Sequence, residues 1–465
     1  MSKSESNHQV APGAHRVLTH TKPTTNKARG KKQKSYSAFE KSAHWLRENQ
    51  LGFSFNIITL LCLTHLCMPE ARAYTTRFFW VSHYNPRTGE YAIGGNDLYF
   101  LVFWIVLFTG IRASVMEYLL APLAKHWGVT KVKDITRFTE QAWLLCYYSV
   151  FWTLGLYIYC TSKYFLNLRE MFTDWPTREL SEVTKAYILC QWAFWLQQLV
   201  VINIEERRKD HWQMLAHHII TIVLMSTSYA LHLTRVANLV LVLMDVVDIV
   251  FPLAKCLKYL GFTILRDVVF GIFMLSWFIA RHVFYLVTMW SIWTHMAEII
   301  PIGCYHGSQD SLAGPTPLPD RGWSHLLDPF LNPSGTICYS DNVRWGFLGA
   351  LGFLQVITLF WFVLIVKVAI RVVQGMGADD IRSDDELQSE DYSCGGGDEN
   401  NGRDRYKTPE CRKATTRVGA ETVALENPTC TAGGNRITGS SGIHLSGHYS
   451  RKEILGRIGC EKQSS

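Results

Sequence analysis

At 465 residues, 48% hydrophobic and 13% aromatic, with a formal net charge of +7, the chain has a mean hydropathy of only +0.04. That average conceals long apolar blocks between very polar ends, a pattern unlike the weakly alternating strands of a membrane barrel. Most of the excess charge sits in the first 47 residues, where ten Lys and Arg face two Glu. Ahead of an apolar span, such an arm reads as a cytosolic end facing anionic lipid rather than as a nucleic-acid-binding element.

In chain order, residues 1–47 are expected to be a disordered basic arm, with an amphipathic piece near 43–50 and no cleavable signal peptide. Eight stretches are then long and apolar enough to cross roughly 30 Å of hydrocarbon, some with polar interruptions. They are 51–68, 97–120, 142–161, 186–204, 212–232, 236–254, 267–293 and 346–371. Lipid offers no water to backbone groups, so these stretches must be helices. The expected fold is an all-α polytopic membrane protein.

Between the spans, loop 69–96 carries the turn signal Asn85-Pro86-Arg87-Thr88-Gly89. Residues 121–141 read as a connector containing an interfacial helix. The Pro- and Gly-rich loop 301–345 is expected to be ordered by turns rather than by regular structure. From about 375 the chain turns acidic (Asp379, Asp380, Asp384, Asp385, Glu386, Glu390, Asp391) and then rich in Gly, Ser and Thr, the composition of a solvated, disordered tail. Ser383 and Ser389 each precede acids there.

Cations flank one set of span ends: Lys125, Lys131, Lys133 and Arg137, then Arg207, Arg208 and Lys209, then Lys255, Lys258 and Arg266. That bias puts these loops, and both termini, in the cytosol. The loop 301–345 then lies in the lumen. A disulfide between its Cys304 and Cys338 is expected in an oxidising compartment, two free thiols being the alternative.

The chemistry concentrates in the fifth and sixth spans. Arg207-Arg208-Lys209-Asp210 precede His217-His218, and Asp245 and Asp248 follow in the next span. Ionisable groups within a span are costly and mark function by default. His218 lies nine residues beyond Lys209, ~13 Å along a helix axis, and the two aspartates lie ~10–15 Å from Lys255 on the antiparallel neighbour. Both pairs therefore reach similar depth. Asp245 and Asp248, three apart, share a helix face, and either could hold an imidazole in one tautomer. Polar glue between helices and a zinc site built from His217, His218 and an Asp are the competing readings. A di-iron site is not expected, because His65, His232 and His282 stand alone. Arg112 and Glu117, five apart, could pair with each other or with a neighbouring helix. Arg281, near mid-depth of the seventh span, calls for a carboxylate or a water-filled cavity.

The ordered string Arg207-Arg208-Lys209-Asp210-His211, Met214, His217-His218, Thr221, Ser228-Tyr229, Arg235, Asp245 and Asp248 resembles the longevity-assurance motif of TLC domains, as found in ceramide synthases. The one departure is Ala237, where the family pattern has glycine. The resemblance implies a TLC domain over 137–372, six helices around a central cavity, preceded by two helices in 48–136 and followed by the tail 373–465. It implies transfer of a fatty acyl group from acyl-CoA to the amine of a sphingoid base, with no metal and no cofactor beyond acyl-CoA as co-substrate. The family's catalytic residues map onto His217, His218, Asp245 and Asp248. Arg207, Arg208 and Lys209 are expected to bind the CoA phosphates, with Arg235 and Arg281 as further substrate-binding residues. The resemblance implies an endoplasmic-reticulum location. The short first lumenal loop, the Gly94-Gly95-Asn96-Asp97-Leu98-Tyr99 entry to the second span and the long cysteine-bearing loop resemble the fungal branch, which suggests a small single-span accessory subunit and a homodimer. A TRAM-like lipid-handling factor and a metal-dependent lipid amidase are the alternative functions.

Overall fold

The computed structural model describes residues 38–205, 210–318, 328 and 330–374. The basic arm up to residue 37, the cations Arg207, Arg208 and Lys209, and the acidic tail with Ser383 and Ser389 lie outside the described residues.

Helices occupy every stretch where apolar runs demand them. They are α1 (Ala38–Cys67), α2 (Arg72–Phe79), α3 (Asp97–Ser114), α4 (Ala121–His126), α5 (Val132–Thr161), α6 (Glu182–Ile204), α7 (His211–Ala230), α8 (Thr234–Tyr259), α9 (Thr263–Phe278), α10 (Tyr285–Ile299) and α11 (Asp341–Val373). π-helical turns at Val115–Leu120 and Ile279–Phe284 join α3 to α4 and α9 to α10 into continuous rods. Seven rods among the described residues are long and apolar enough to cross a membrane. The expected eighth, α7, is a 20-residue helix of ~30 Å. It falls outside that group on composition, because it carries His217, His218 and a run of Ser and Thr. The chain is a multi-pass membrane protein.

Helices α6 and α8 form the centre: 61% and 50% of their apolar windows are buried, against 6% for α1. α8 packs along α5 and α9, α6 along α3 and α7, and α1 leans on α3 from outside. A buried charged node helps tie the two N-terminal helices to the six-helix bundle. Lys185 of α6 lies 2.7 Å from Asp97 at the start of α3 and donates to the carbonyls of Ser82 (2.8 Å) and Ala92 (2.6 Å). The other Asp97 oxygen accepts from Tyr229 of α7 at 2.7 Å. Buried charges of this kind persist only when paired and hydrogen-bonded.

One end of the bundle carries two small sheets. β1 (Tyr84–Asn85) and β2 (Glu90–Ala92) form a hairpin around the Asn85–Gly89 turn, and β3 (Glu179–Leu180) adds to it antiparallel. The second sheet has the order β5-β4-β6, with β4 at Gly303–His306, β5 at Ala313–Thr316 and β6 at Ile337–Tyr339. Cys304 pairs with Cys338 across β4 and β6, and a disulfide joins them. The loop is therefore more regular than its Pro and Gly content suggests. Its strands are three or four residues long, and β4 and β6 meet only through a 34-residue separation that local composition does not report.

The segment between α5 and α6 seals this end. Trp175 donates to the Leu231 carbonyl at 3.0 Å, and His232 Nδ1 to the Thr177 carbonyl at 2.8 Å. Arg235 donates to the carbonyls of Glu170 (3.0 Å) and Thr173 (2.8 Å), and Arg178 to that of Tyr305 at 3.0 Å. His232 sits at φ 54° in the turn between α7 and α8. Burial, with the Arg178 charge beside it, lowers its pKa from 6.5 to about 4. Below pH 6.5 the unfolded chain binds a proton there that the folded chain refuses until about pH 4. Stability is thus lost as pH falls across that window, with an upper bound of about 3 kcal/mol. We expect unfolding temperature to drop from pH 6.5 to 4, and His232→Asn, which tolerates the left-handed backbone and keeps a donor, to flatten the slope. Equal slopes for both proteins would contradict this assignment.

Candidate active site

The two histidines of α7 have different surroundings. His218 is buried, and its Nδ1 lies 2.7 Å from the Met214 carbonyl one turn back. A carbonyl only accepts, so the proton sits on Nδ1 and Nε2 keeps its lone pair. His217 is half-buried and lines an internal cavity, with no hydrogen-bond partner for Nδ1. Its ring lies edge-on to three others: Trp195 of α6 at 5.6 Å, Trp361 of α11 at 5.4 Å and His218 at 5.7 Å.

The two aspartates of α8 also diverge. Asp245 is fully buried and accepts from Gln191 Nε2 at 2.7 Å, while Gln191 Oε1 accepts from Tyr147 at 2.8 Å. Asp248 lines the cavity and pairs with Arg281 at 2.9 Å. Arg281 donates as well to the Met244 carbonyl at 3.1 Å and stands 4.2 Å over the Trp277 ring. It lies within the π-helical turn Ile279–Phe284, a local widening that recurs at functional sites.

The expected carboxylate–imidazole hydrogen bond does not form. Among the described residues, neither imidazole is hydrogen-bonded to either aspartate. The i−4 carbonyl of its own helix is the acceptor nearest to His218, while Gln191 and Arg281 take up the carboxylates. Arg112 pairs with Glu205 at the end of α6, not with Glu117. Five residues along a helix turn a side chain about 140° away from the first, so the two could not meet. Arg235, expected near substrate, instead holds the seal at the sheet-bearing end and does not line the cavity. No three His, Cys, Asp or Glu side chains among the described residues are placed to hold a metal ion.

The cavity is a slot lined mainly by three helix faces, with Trp195 of α6 and Arg281 of the α9–α10 rod also on its wall. α7 contributes His217, Thr221, Leu224, Met225 and Ser228; α8 runs from Val236 and Ala237 through Met244 to Asp248; α11 runs from Phe347 through Leu351 and Leu354 to Thr358. Each stripe spans twelve or thirteen residues, ~16–18 Å along the axis. His217, Asp248, Arg281 and Thr358 cluster at one end. Towards the sealed end the walls are mainly aliphatic. The free space is about 60 Å³, room for a few waters. Of the residues that sequence reasoning passed over, Gln191 was detectable as an amide in an apolar span. Trp195 and Trp361 looked like any interfacial aromatic.

The TLC domain family matches residues 137–367. The chain is 46% identical over 340 residues to a ceramide synthase of Gibberella moniliformis, covering 73% of this chain and 79% of that protein. It is 39% identical over 336 residues to a sphingosine N-acyltransferase of Schizosaccharomyces pombe, covering 72% and 79%. With a ceramide synthase of Saccharomyces cerevisiae the identity is 28% over 321 residues, covering 68% and 71%.

The Asp248–Arg281 pair supplies a stability test independent of activity. Asp248→Asn strands a guanidinium that is almost fully enclosed, a change that costs roughly 3–5 kcal/mol at buried pairs. Thermal unfolding in detergent should show Asp248→Asn with Arg281→Gln less damaged than the sum of the single variants, by roughly 0.5–3 kcal/mol. Simple additivity would mean that the pair is not coupled.

Proposed function

This chain belongs to the TLC-domain family that includes the ceramide synthases, and on that premise we propose that it transfers a fatty acyl group from acyl-CoA to the amine of a sphingoid base, releasing ceramide and CoA. One observation carries the reading. A single slot sets an imidazole and a neutralised ion pair at one end and some 16 Å of mainly apolar wall beyond, ending under a sealed cap. That is the shape and polarity of a fatty thioester with its reactive carbonyl beside His217. A TRAM-like handling role leaves the imidazole and ion pair without a task. A metal-dependent amidase lacks a ligand set among the described residues.

In the proposed reaction, His217 attacks the thioester carbonyl. The carbon–sulfur bond breaks, CoA leaves as the thiolate, and the acyl group rides on the imidazole. The sphingoid amine, after losing its ammonium proton, attacks the acyl-imidazole; the amide forms and His217 is restored. His218, its proton fixed on Nδ1, offers Nε2 to the departing proton, which passes on to the CoA thiolate or water. Asp248 holds Arg281 in place and keeps the charge of the slot balanced. Asp245 sets α8 against α5 and α6 through Gln191 and Tyr147.

Acyl-CoA is polyanionic, so it enters from the cytosol past Arg207, Arg208 and Lys209, whose sequence positions precede α7 directly. Both termini then lie in the cytosol and the two sheets in the lumen of the endoplasmic reticulum, where the disulfide is stable. The catalytic unit is the TLC domain over 137–372, and no metal or further cofactor is needed. A single-span accessory subunit and a homodimer complete the proposed assembly. α1 offers a lipid-facing strip bearing Asn49 and Asn56 for such a contact.

Purified protein given a sphingoid base and acyl-CoAs of several lengths should form ceramide, and His217→Ala should reduce the rate by at least about 10²-fold. Undiminished synthesis by both His217→Ala and Asp248→Ala would reject the site. With acyl-CoA alone, intact-mass analysis should reveal an acyl adduct that peptide mapping places on His217. Its absence under single-turnover conditions would reject the covalent route.

A further inference from the structure

The acyl transfer proposed above has a requirement that His217 cannot meet. Attack on the thioester carbonyl, by imidazole or by amine, turns its oxygen into an oxyanion. Inside a bundle that excludes bulk water, that charge needs a preorganised donor. The wall of the slot carries few donors that are not already engaged. Thr221 Oγ1 donates to the His217 carbonyl at 2.8 Å, and Thr358 Oγ1 to that of Gln355 at 2.9 Å. Arg281 Nη2 is held by Asp248 and Met244. Ser228 lies eleven residues along α7 from His217, ~16 Å away.

Two donors remain. The indole N–H of Trp195 is buried without a partner, and the residue lines the slot with its ring 5.6 Å from that of His217. Arg281 Nε is likewise buried and unpartnered, on another residue that lines the slot. Five other tryptophans among the described residues bury an unpartnered indole N–H: Trp104, Trp143, Trp192, Trp277 and Trp361. None of those five lines this slot.

We propose that Trp195 is a catalytic residue whose indole Nε1–H donates a hydrogen bond to the oxyanion formed at the acyl carbonyl, with Arg281 Nε as the second donor. The inference rests on the acyltransferase reading and adds to it a residue that touches the reacting atoms. α6 sets Trp195 beside the histidine pair, its ring also 5.1 Å from that of His218. The residue is only 6% exposed, so packing holds its ring and its donor needs little reorganisation as charge develops.

The test compares wild type with Trp195→Phe, which keeps an aromatic ring and removes the donor. Loss of one oxyanion donor lowers kcat about 10²- to 10³-fold. The expected result is a fall of that size with KM for acyl-CoA nearly unchanged. A dithioester donor, with C=S in place of C=O, gives the discriminating readout. Its sulfur accepts hydrogen bonds poorly, so wild type should slow and the gap to Trp195→Phe should close. Should Trp195→Phe fail to fold, replacement of Trp195 by 3-benzothienylalanine keeps the indole's shape without its N–H and should show the same kcat loss. Wild-type kcat in either variant, or a gap undiminished with the dithioester, overturns the proposal. Failure of the wild-type protein to make ceramide from any acyl-CoA would instead remove the acyltransferase reading itself.

Discussion

A guanidinium inside an apolar helix bundle must be matched by a carboxylate, and the arrangement of this site follows from that requirement. Arg281 meets Asp248 at 2.9 Å, 33 residues away in sequence, and the pairing decides which face α8 turns to the slot. Asp245, one turn earlier on the same helix, is thereby directed towards Gln191 on α6. The π-helical turn at Ile279–Phe284 belongs to the same solution, since it lies where Arg281 leaves the α9–α10 rod for α8. Charge neutralisation, helix rotation and slot polarity are one constraint seen at three scales.

A second buried pair does comparable work at the sheet-bearing end. Lys185 and Asp97 join α6 to α3, and Tyr229 brings in α7, the helix that carries both histidines. The N-terminal helices thus act as a brace for α7 rather than as a separate unit. Above this node, Trp175, His232 and Arg235 seal the ends of α7 and α8 with side-chain to backbone bonds, and Arg178 ties the same segment to β4. The slot is closed where it is most apolar and holds only about 60 Å³ of free space. A long chain can enter only if side chains such as Met225 and Met244, on facing helices, swing aside, a movement suited to an unbranched thioether.

Much of the fold was legible because lipid imposes a coarse rule: an apolar run of sufficient length is a helix. All eight expected helices exist, and the one whose composition departs from the rule, α7, departs because it carries the histidines. Depth along antiparallel helices was equally legible, since rise per residue is constant. The expected pairing of Asp with His was not. Helical spacing places groups at one height but does not say which way each turns, and local acceptors such as the Met214 carbonyl compete with distant ones. Likewise, the positions of Arg112 and Arg235 in the chain did not disclose that Glu205 and the carbonyls of the seal would claim them.

From its residues alone, then, the chain specified a helical membrane protein with two histidines and two aspartates at matched depth, because hydropathy and helical rise are local properties. Which histidine borders the slot, which aspartate balances an arginine and which of the tryptophans stands beside His217 were decided only by tertiary packing. Those answers depend on the rotation of each helix about its own axis. That rotation is set by contacts such as Asp248 with Arg281 and Lys185 with Asp97, between residues 33 to 88 positions apart, which no local pattern encodes.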